Sequence, residues 1–445
     1  MRRLFAIALG LLILAGSAEP APARALGVGP FDDVWVARSG EAYPGSGSSC
    51  ARPHAVADGV ADQGELNWAV QHLNDHGTLH LCAGTFHLTN PIGRQSPCAP
   101  GCYFALPTHL TISGAGMYKT ILDGGATYSA GVRTGPGSDI IWAFTDEEEL
   151  TLSDLTVQNA VEPNGNGAAV SSSAAVAIIR ARFYRNETAA EDFNLSGAAI
   201  DAPSIMIIDS IFAENTADGD GGAISSTHVE VSGSLFLDNS ANGDGGAIDA
   251  ASVVVTNSRF SGNDAEIGGA IKATALTVTG STFTNNSAYV GGAIEVSSMG
   301  PTITTVTGST FTDNNAEIVG GAIYADDSVT ITSSSFAGND AGVEGGAIHA
   351  STAAISRSRF TRNTAVLHGG AVILYLPTSD DLQNLRGNTF SRNAAESGGA
   401  ITLGSCVAPS RSQAARVLGA NRFSGNRATQ QRLTNNIERL TGACA

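Results

Sequence analysis

The chain has 445 residues, room for two or three ordinary domains or one long repeat array. Its 24 Lys+Arg against 41 Asp+Glu give a formal charge of −17. That sign argues against a nucleic-acid binder or a binder of anionic membranes, both of which need a basic face, and 42% apolar residues argue against global disorder.

At the start, Arg2 and Arg3 precede an apolar run from Leu4 to Ala15. Small residues follow, with Ala21-Pro22-Ala23 and Ala23-Arg24-Ala25 as cleavage candidates. This pattern predicts a secretory signal peptide over residues 1–25 and an exported chain. The run is too short to span a bilayer, and no later stretch is apolar and long enough to do so. Residues 26–60 read as an N-terminal extension.

Export places the six cysteines, Cys50, Cys82, Cys98, Cys102, Cys406 and Cys444, in an oxidising compartment. Six cysteines allow about fifteen connectivities. The pairing expected here is Cys98–Cys102, Cys406–Cys444 and Cys50–Cys82. No Cys-x-x-Cys pair supports a metal instead.

Residues 61–76 are expected to form one short helix, with Asp62 and Glu65 as a capping box, Leu66, Ala69, Val70 and Leu73 on one face, and Gly77 as the stop. His72 and His76, four apart on it, form a candidate metal pair, and His76 also suits a helix C-terminus. Thr78 to Leu88 then alternates like a strand, and further strand and turn follow at Leu110–Gly116 and Thr120–Gly124. The helix is the expected lid over one raw end of a β structure, and the tail at 427–445 the cover of the other.

From there the chain repeats. Phe-x-x-Asn occurs ten times, at Phe183, Phe212, Phe236, Phe260, Phe283, Phe311, Phe336, Phe360, Phe390 and Phe423. Gly-Gly-Ala-Ile or Gly-Gly-Ala-Val begins at Gly221, Gly245, Gly268, Gly291, Gly320, Gly345, Gly369 and Gly398, with a worn copy at Gly197. A β-rich segment precedes each Phe. Val, Ile, Thr, Ser and Gly dominate, which favours strands and tight turns over helices. Three short strands with three bends consume about 20–25 residues, one coil of a parallel β-helix. Equivalent residues in successive coils then stack about 4.8 Å apart. The Phe residues are expected to form an internal column and the Asn residues a ladder at a bend, held in a left-handed backbone. The Gly-Gly pair serves unusual φ or close approach, and Ile224, Ile248 and Ile271 point inward.

The pairing of Phe-x-x-Asn with Gly-Gly-Ala-Ile resembles the polymorphic outer membrane protein repeat, best known from chlamydial surface autotransporters. The stretch from Glu65 to Gly124 resembles the first coils of pectin-lyase-like, right-handed β-helix proteins. Together the resemblances span residues 60–426 or so. They imply a single right-handed parallel β-helix over residues 61–426, of about 12–13 coils, and an extracellular or surface role in adhesion. The autotransporters end in a membrane β-barrel, which is expected to be missing here, where about 19 residues follow the last Phe-x-x-Asn. The motifs are architectural, so they transfer no catalytic residue.

Two functions follow. The first is a non-enzymatic surface protein that binds a glycan or cell-surface ligand on a long acidic face. The second is a carbohydrate-active enzyme, a polysaccharide lyase or glycoside hydrolase, working in a groove along one strand face. An enzyme requires carboxylates, or carboxylate with Arg, converging in a cleft with perturbed pKa values; an adhesin requires a flat face without them. Only two lysines exist, Lys119 and Lys272, and Arg357, Arg359 and Arg362 cluster near one coil. In the acidic bends, Asp218-Gly219-Asp220 is expected to lie over Asn242-Gly243-Asp244 of the next coil. Carboxylates about 5 Å apart repel by roughly 1 kcal/mol in water and ~3 at an effective dielectric near 20. A hard cation would remove that repulsion, so calcium is expected at Asp218, Asp220 and Asp244, with Glu266 as a further ligand.

Overall fold

The computed structural model describes residues 30–40, 42, 47–93, 106–129, 132–133, 135, 137–143, 149–162, 166–189, 196–297, 303–375, 384–405, 411–429 and 436–441. The expected signal peptide lies outside them, as do Cys98, Cys102, Cys406 and Cys444 with both bridges expected of them. The third expected bridge, Cys50–Cys82, is formed.

One repeat shows how the sequence makes a coil. The strand Ile248–Thr256 buries Ile248, Ala250, Val253 and Val255, while Asp249 and Val254 take the other side. Asn257, at φ +48°, turns the chain into the strand Arg259–Ser261, which sends Phe260 inward. Gly262, at φ +71°, turns it again before Asn263. A short loop then leads to Gly268-Gly269 and the next long strand, Ile271–Thr279. Equivalent strands lie parallel and in register: Ile224, Ile248 and Ile271 are neighbours, as are Phe236, Phe260 and Phe283. Among the described residues, the result is a parallel β-helix with a 19-stranded sheet that holds the long strands and a 13-stranded sheet of strands three or four residues long. Smaller sheets of 4 and 6 strands follow the Asn bend.

The ten phenylalanine rings form one file from Phe183 to Phe423, with neighbouring centroids 4.6–5.2 Å apart and planes within 10°. Burying each side chain contributes about 1.5–3 kcal/mol. Each ladder Asn accepts on Oδ1 from the amide of the previous Asn and donates to the next. Asn263 Oδ1 receives the Asn239 backbone N–H at 3.1 Å and its Nδ2 at 3.0 Å, and Asn263 Nδ2 reaches Asn286 Oδ1 at 2.9 Å. The left-handed residue is the one before the Asn: Arg185, Glu214, Asp238, Asn285 and Asp313 all have φ between 52° and 56°. The Asn is thus needed for its amide, while its neighbour takes the strain.

A second ladder was not foreseen. Ser210, Ser234, Ser258, Ser281, Ser309, Ser334 and Ser358 each accept the N–H of the preceding residue in the series on Oγ, beginning with Ala181 N on Ser210. Of the Gly-Gly pairs, Gly245 has φ +63°, and a Cβ there would collide with the Ile248 carbonyl; on Gly246 it would collide with the Gly269 carbonyl of the next coil.

The N-terminal end departs from expectation. Helix α1 spans Gln63–Gln71 and not 61–76, because Leu73–Leu81 is already a strand of the long sheet. Asp62 does not cap α1 with its side chain. Its buried carboxylate accepts the N–H groups of Gly59 and His87 and pairs with Arg38 at 3.2 Å. Leu66, Ala69 and Val70 of α1 are buried as expected. The extension joins the solenoid too, since Phe31–Ala37 pairs in parallel with Leu73–Leu81. At the other end, helix α2, Arg411–Ala420, was not anticipated, and Ile437–Thr441 pairs with Ile401–Ser405.

Candidate functional site

The acidic bends stack as the repeat arithmetic requires. Asn242 Nδ2 donates to Asp218 Oδ1 at 3.3 Å, and the Asp244 N–H donates to Asp220 Oδ1 at 2.8 Å. The coil holding Glu266 is one residue shorter, so its N–H meets the Gly243 carbonyl, a step away from Asn242. Asp244 has a cation of its own: Lys272 Nζ lies 3.0 Å from Asp244 Oδ2 and 3.5 Å from Asp249 Oδ1. Among the described residues, no three His, Cys, Asp or Glu side chains come close enough together to hold a metal ion. His72 and His76 do not share a helix face. His72 ends α1 with Nδ1 2.7 Å from the Trp68 carbonyl, and His76 sits in a strand with its ring on His109. Arg357, Arg359 and Arg362 flank the phenylalanine strand Arg359–Thr361, away from these groups.

Lys272 belongs to a row that sequence reasoning missed. The residue after the Ile of each Gly-Gly-Ala-Ile lies on the outer side of the long strand, because its neighbours on both sides point into the core. In register, that position reads Asp201, Ser225, Asp249, Lys272, Glu295, Tyr324, His349. Five successive coils, from Asp249 to His349, therefore place five titratable side chains one strand spacing apart. The signal was present: one of the chain's two lysines occupies a position that elsewhere holds Asp, Glu, Tyr and His.

The row is shielded, and its groups respond. Burial raises the Asp249 carboxyl to about 6, against the pull of Lys272. Burial raises Glu295 to about 7, opposed by a hydrogen bond to Ser297 and by Lys272. Burial works against the Lys272 charge, yet Asp249, Asp244 and Glu295 outweigh it and raise its pKa. Burial lowers His349 to about 4, so its imidazole is neutral at pH 7. The Tyr324 hydroxyl donates to Asp326, and burial with that carboxylate raises its pKa. Tyr375, which donates to Glu344, stacks on His349 at 4.9 Å, and Tyr324 meets the same imidazole edge-on at 5.0 Å. Among the described residues, two buried side-chain polar atoms have no partner: Glu295 Oε2 and His349 Nδ1. Each lies one strand from Tyr324, on opposite sides of it.

A buried carboxylic acid near neutrality, a second carboxyl two strands away, a cation between them and a neutral imidazole make a set able to give and take protons. A concavity elsewhere, lined by Gly59, His87, Gly124 and Ser138, has His87 as its one titratable side chain. It offers no comparable chemistry.

The fold and its punctuation define a parallel β-helix built from Phe-x-x-Asn and Gly-Gly-Ala-Ile repeats. The Chlamydia polymorphic membrane protein repeat matches residues 209–227, 233–251 and 308–326. The solved structures it resembles include two mannuronan C-5 epimerase A-modules from Azotobacter vinelandii. AlgE4 is 14% identical with a TM-score of 0.29, covering 86% of this chain and 96% of the module. AlgE6 is 13% identical with a TM-score of 0.26, covering 86% and 94%. No curated protein sequence matches the chain. Among the described residues, no helix is long and apolar enough to cross a membrane.

Proposed function

We propose that this chain is an exported β-helix protein that binds a polysaccharide along the helix axis and performs acid–base chemistry on it at the row from Asp249 to His349. One observation carries this reading: five consecutive strands present Asp249, Lys272, Glu295, Tyr324 and His349 at one register position, with buried Glu295 Oε2 and His349 Nδ1 lacking partners. An adhesive face has no need of a carboxyl held at about 7. Glu295 is the proton donor to a leaving glycosidic oxygen. Asp249, two strands or about 9.6 Å away along the axis, is the base, close to the separation that leaves room for a water molecule. A signal peptide at residues 1–25 would deliver the chain to the cell exterior.

The test pairs a glycan array with assays for new reducing ends and for unsaturated products, on the parent and on Glu295→Gln. Turnover that Glu295→Gln reduces at least a hundredfold, with binding kept, supports the reading. Binding with no turnover on any bound glycan refutes it and leaves the second reading, a non-enzymatic adhesin. The match to a surface-protein repeat favours that alternative.

A further inference from the structure

Resting on the carbohydrate reading of this row, the charge around it selects the sugar. We infer that the ligand is an uncharged, hydroxyl-bearing glycan, one residue of which sits over Tyr324 between Glu295 Oε2 and His349 Nδ1, and that uronate polymers are excluded.

The two partnerless atoms set the subsite. Glu295 is only 5% exposed, and the other face of its strand, Ile294 and Val296, is in the core. A buried polar atom without a partner carries a desolvation penalty that a ligand hydroxyl would remove. Tyr324 lies between the two atoms in register, and its hydroxyl is already committed to Asp326. What remains of Tyr324 toward a ligand is its ring, a surface suited to the C–H face of a pyranose. A neutral imidazole and a carboxyl that holds its proton near pH 7 match hydroxyl groups, which both donate and accept.

The surroundings reject an anion. Between residues 196 and 375 the only Lys and Arg are Lys272, Arg259, Arg357, Arg359 and Arg362. The arginines lie in or beside the phenylalanine strands Arg259–Ser261 and Arg359–Thr361. Lys272, the one cation on the row, is already shared between Asp244 and Asp249. Against it stand Asp201 and Asp249 on the row, Asp244 and Glu344 in the adjoining bends, and Asp326 bonded to Tyr324. Among the described residues, a uronate carboxylate has no unengaged ammonium or guanidinium to meet on the row. It would add a like charge to a face that already carries these carboxylates.

The experiment is calorimetric titration of the full chain at pH 7 with hexasaccharides of glucose, mannose, galactose and N-acetylglucosamine, and with oligogalacturonate and oligomannuronate of equal length. At least one neutral series is expected to bind, and both uronates at least about tenfold more weakly. Glu295→Ala and His349→Ala should each weaken the neutral ligand about tenfold, while Glu295→Gln, which keeps a donor and the packing, stays within about threefold of the parent. Arg357→Ala should bind as the parent does. Uronates that bind as tightly as neutral sugars, and lose that binding in Glu295→Ala, overturn the neutral-ligand inference and leave the row as a carbohydrate site. No binding by any sugar, or binding indifferent to both Ala variants, overturns the inference and the carbohydrate reading together.

Discussion

Replacing Asn263 with Ala tests whether the amide ladder holds the coils together. The Asn263 side chain makes four hydrogen bonds: it accepts from Asn239 N and Asn239 Nδ2, and it donates to the Phe236 carbonyl and to Asn286 Oδ1. Alanine keeps only the two backbone bonds, from the residue 263 N–H to Asn286 Oδ1 at 3.0 Å and from the Ser287 N–H to the residue 263 carbonyl at 3.0 Å. Two N–H groups and one carbonyl then lose a partner at a position with no solvent exposure. At about 1–3 kcal/mol for each unsatisfied group, the cost is about 3–6 kcal/mol once some relaxation is allowed. Urea unfolding followed by circular dichroism measures it, read as a shift in midpoint at constant slope. Ser258→Ala is the companion variant. It leaves one N–H, that of Ser234, without its Oγ acceptor, and should cost about 1–2 kcal/mol. A loss below about 1 kcal/mol for Asn263→Ala would refute the reasoning, and would mean that sheet pairing alone fixes the coils.

Other consequences are as open to measurement. Burial raises the folded-state pKa of Glu295 from 4.5 to about 7, so the folded chain holds a proton that the unfolded chain releases between those values. The stability tied to that proton is full below pH 4.5 and lost as pH rises through 7, about 3 kcal/mol in all. Glu295→Gln should therefore match the parent at pH 4 and exceed it by about that amount at pH 8 in urea unfolding; a difference independent of pH contradicts the assignment. His349, lowered from 6.5 to about 4, contributes in the opposite sense as pH falls, and it cancels in this comparison. Lys272→Met leaves Asp244 and Asp249 without their cation, so its melting temperature should fall and recover in part with millimolar calcium, while the parent responds little. A parent that gains as much from calcium as the variant would place the ion on the acidic bends around Asp218 and Asp220. Cys82→Ser opens a loop of 32 residues and should cost about 3–4 kcal/mol, measured against the parent under non-reducing conditions.

The fold was legible because its determinants repeat. The period marks the coil, the Phe column follows from alternation, and the Asn from its place at a bend. What stayed hidden depends on local counts. The Ser ladder is masked because serine is common throughout the repeats and its hydroxyl carries no distinctive spacing. The helix expected over residues 61–76 runs past α1 because Leu73 fits both the helical face and the strand that claims it. The acidic bends were predicted to stack and do, but their neutralising partner comes from the next strand, where Lys272 follows Ile271. The row is hidden in the sequence for a related reason. Its members differ from one another, so a search for recurring residues passes over them, and only alignment of the coils in register brings Asp249, Lys272, Glu295, Tyr324 and His349 side by side. The repeat builds the scaffold by sameness, and the chemistry occupies the position where sameness stops.

Whether a glycan binds on this row is decided by a crystal structure of the Glu295→Gln chain with a neutral hexasaccharide. Sugar is expected along the helix axis, with one ring over Tyr324, a hydroxyl within hydrogen-bond distance of His349 Nδ1, and another near the residue at position 295. A sugar lodged on the phenylalanine-strand face, among Arg357, Arg359 and Arg362, would contradict it.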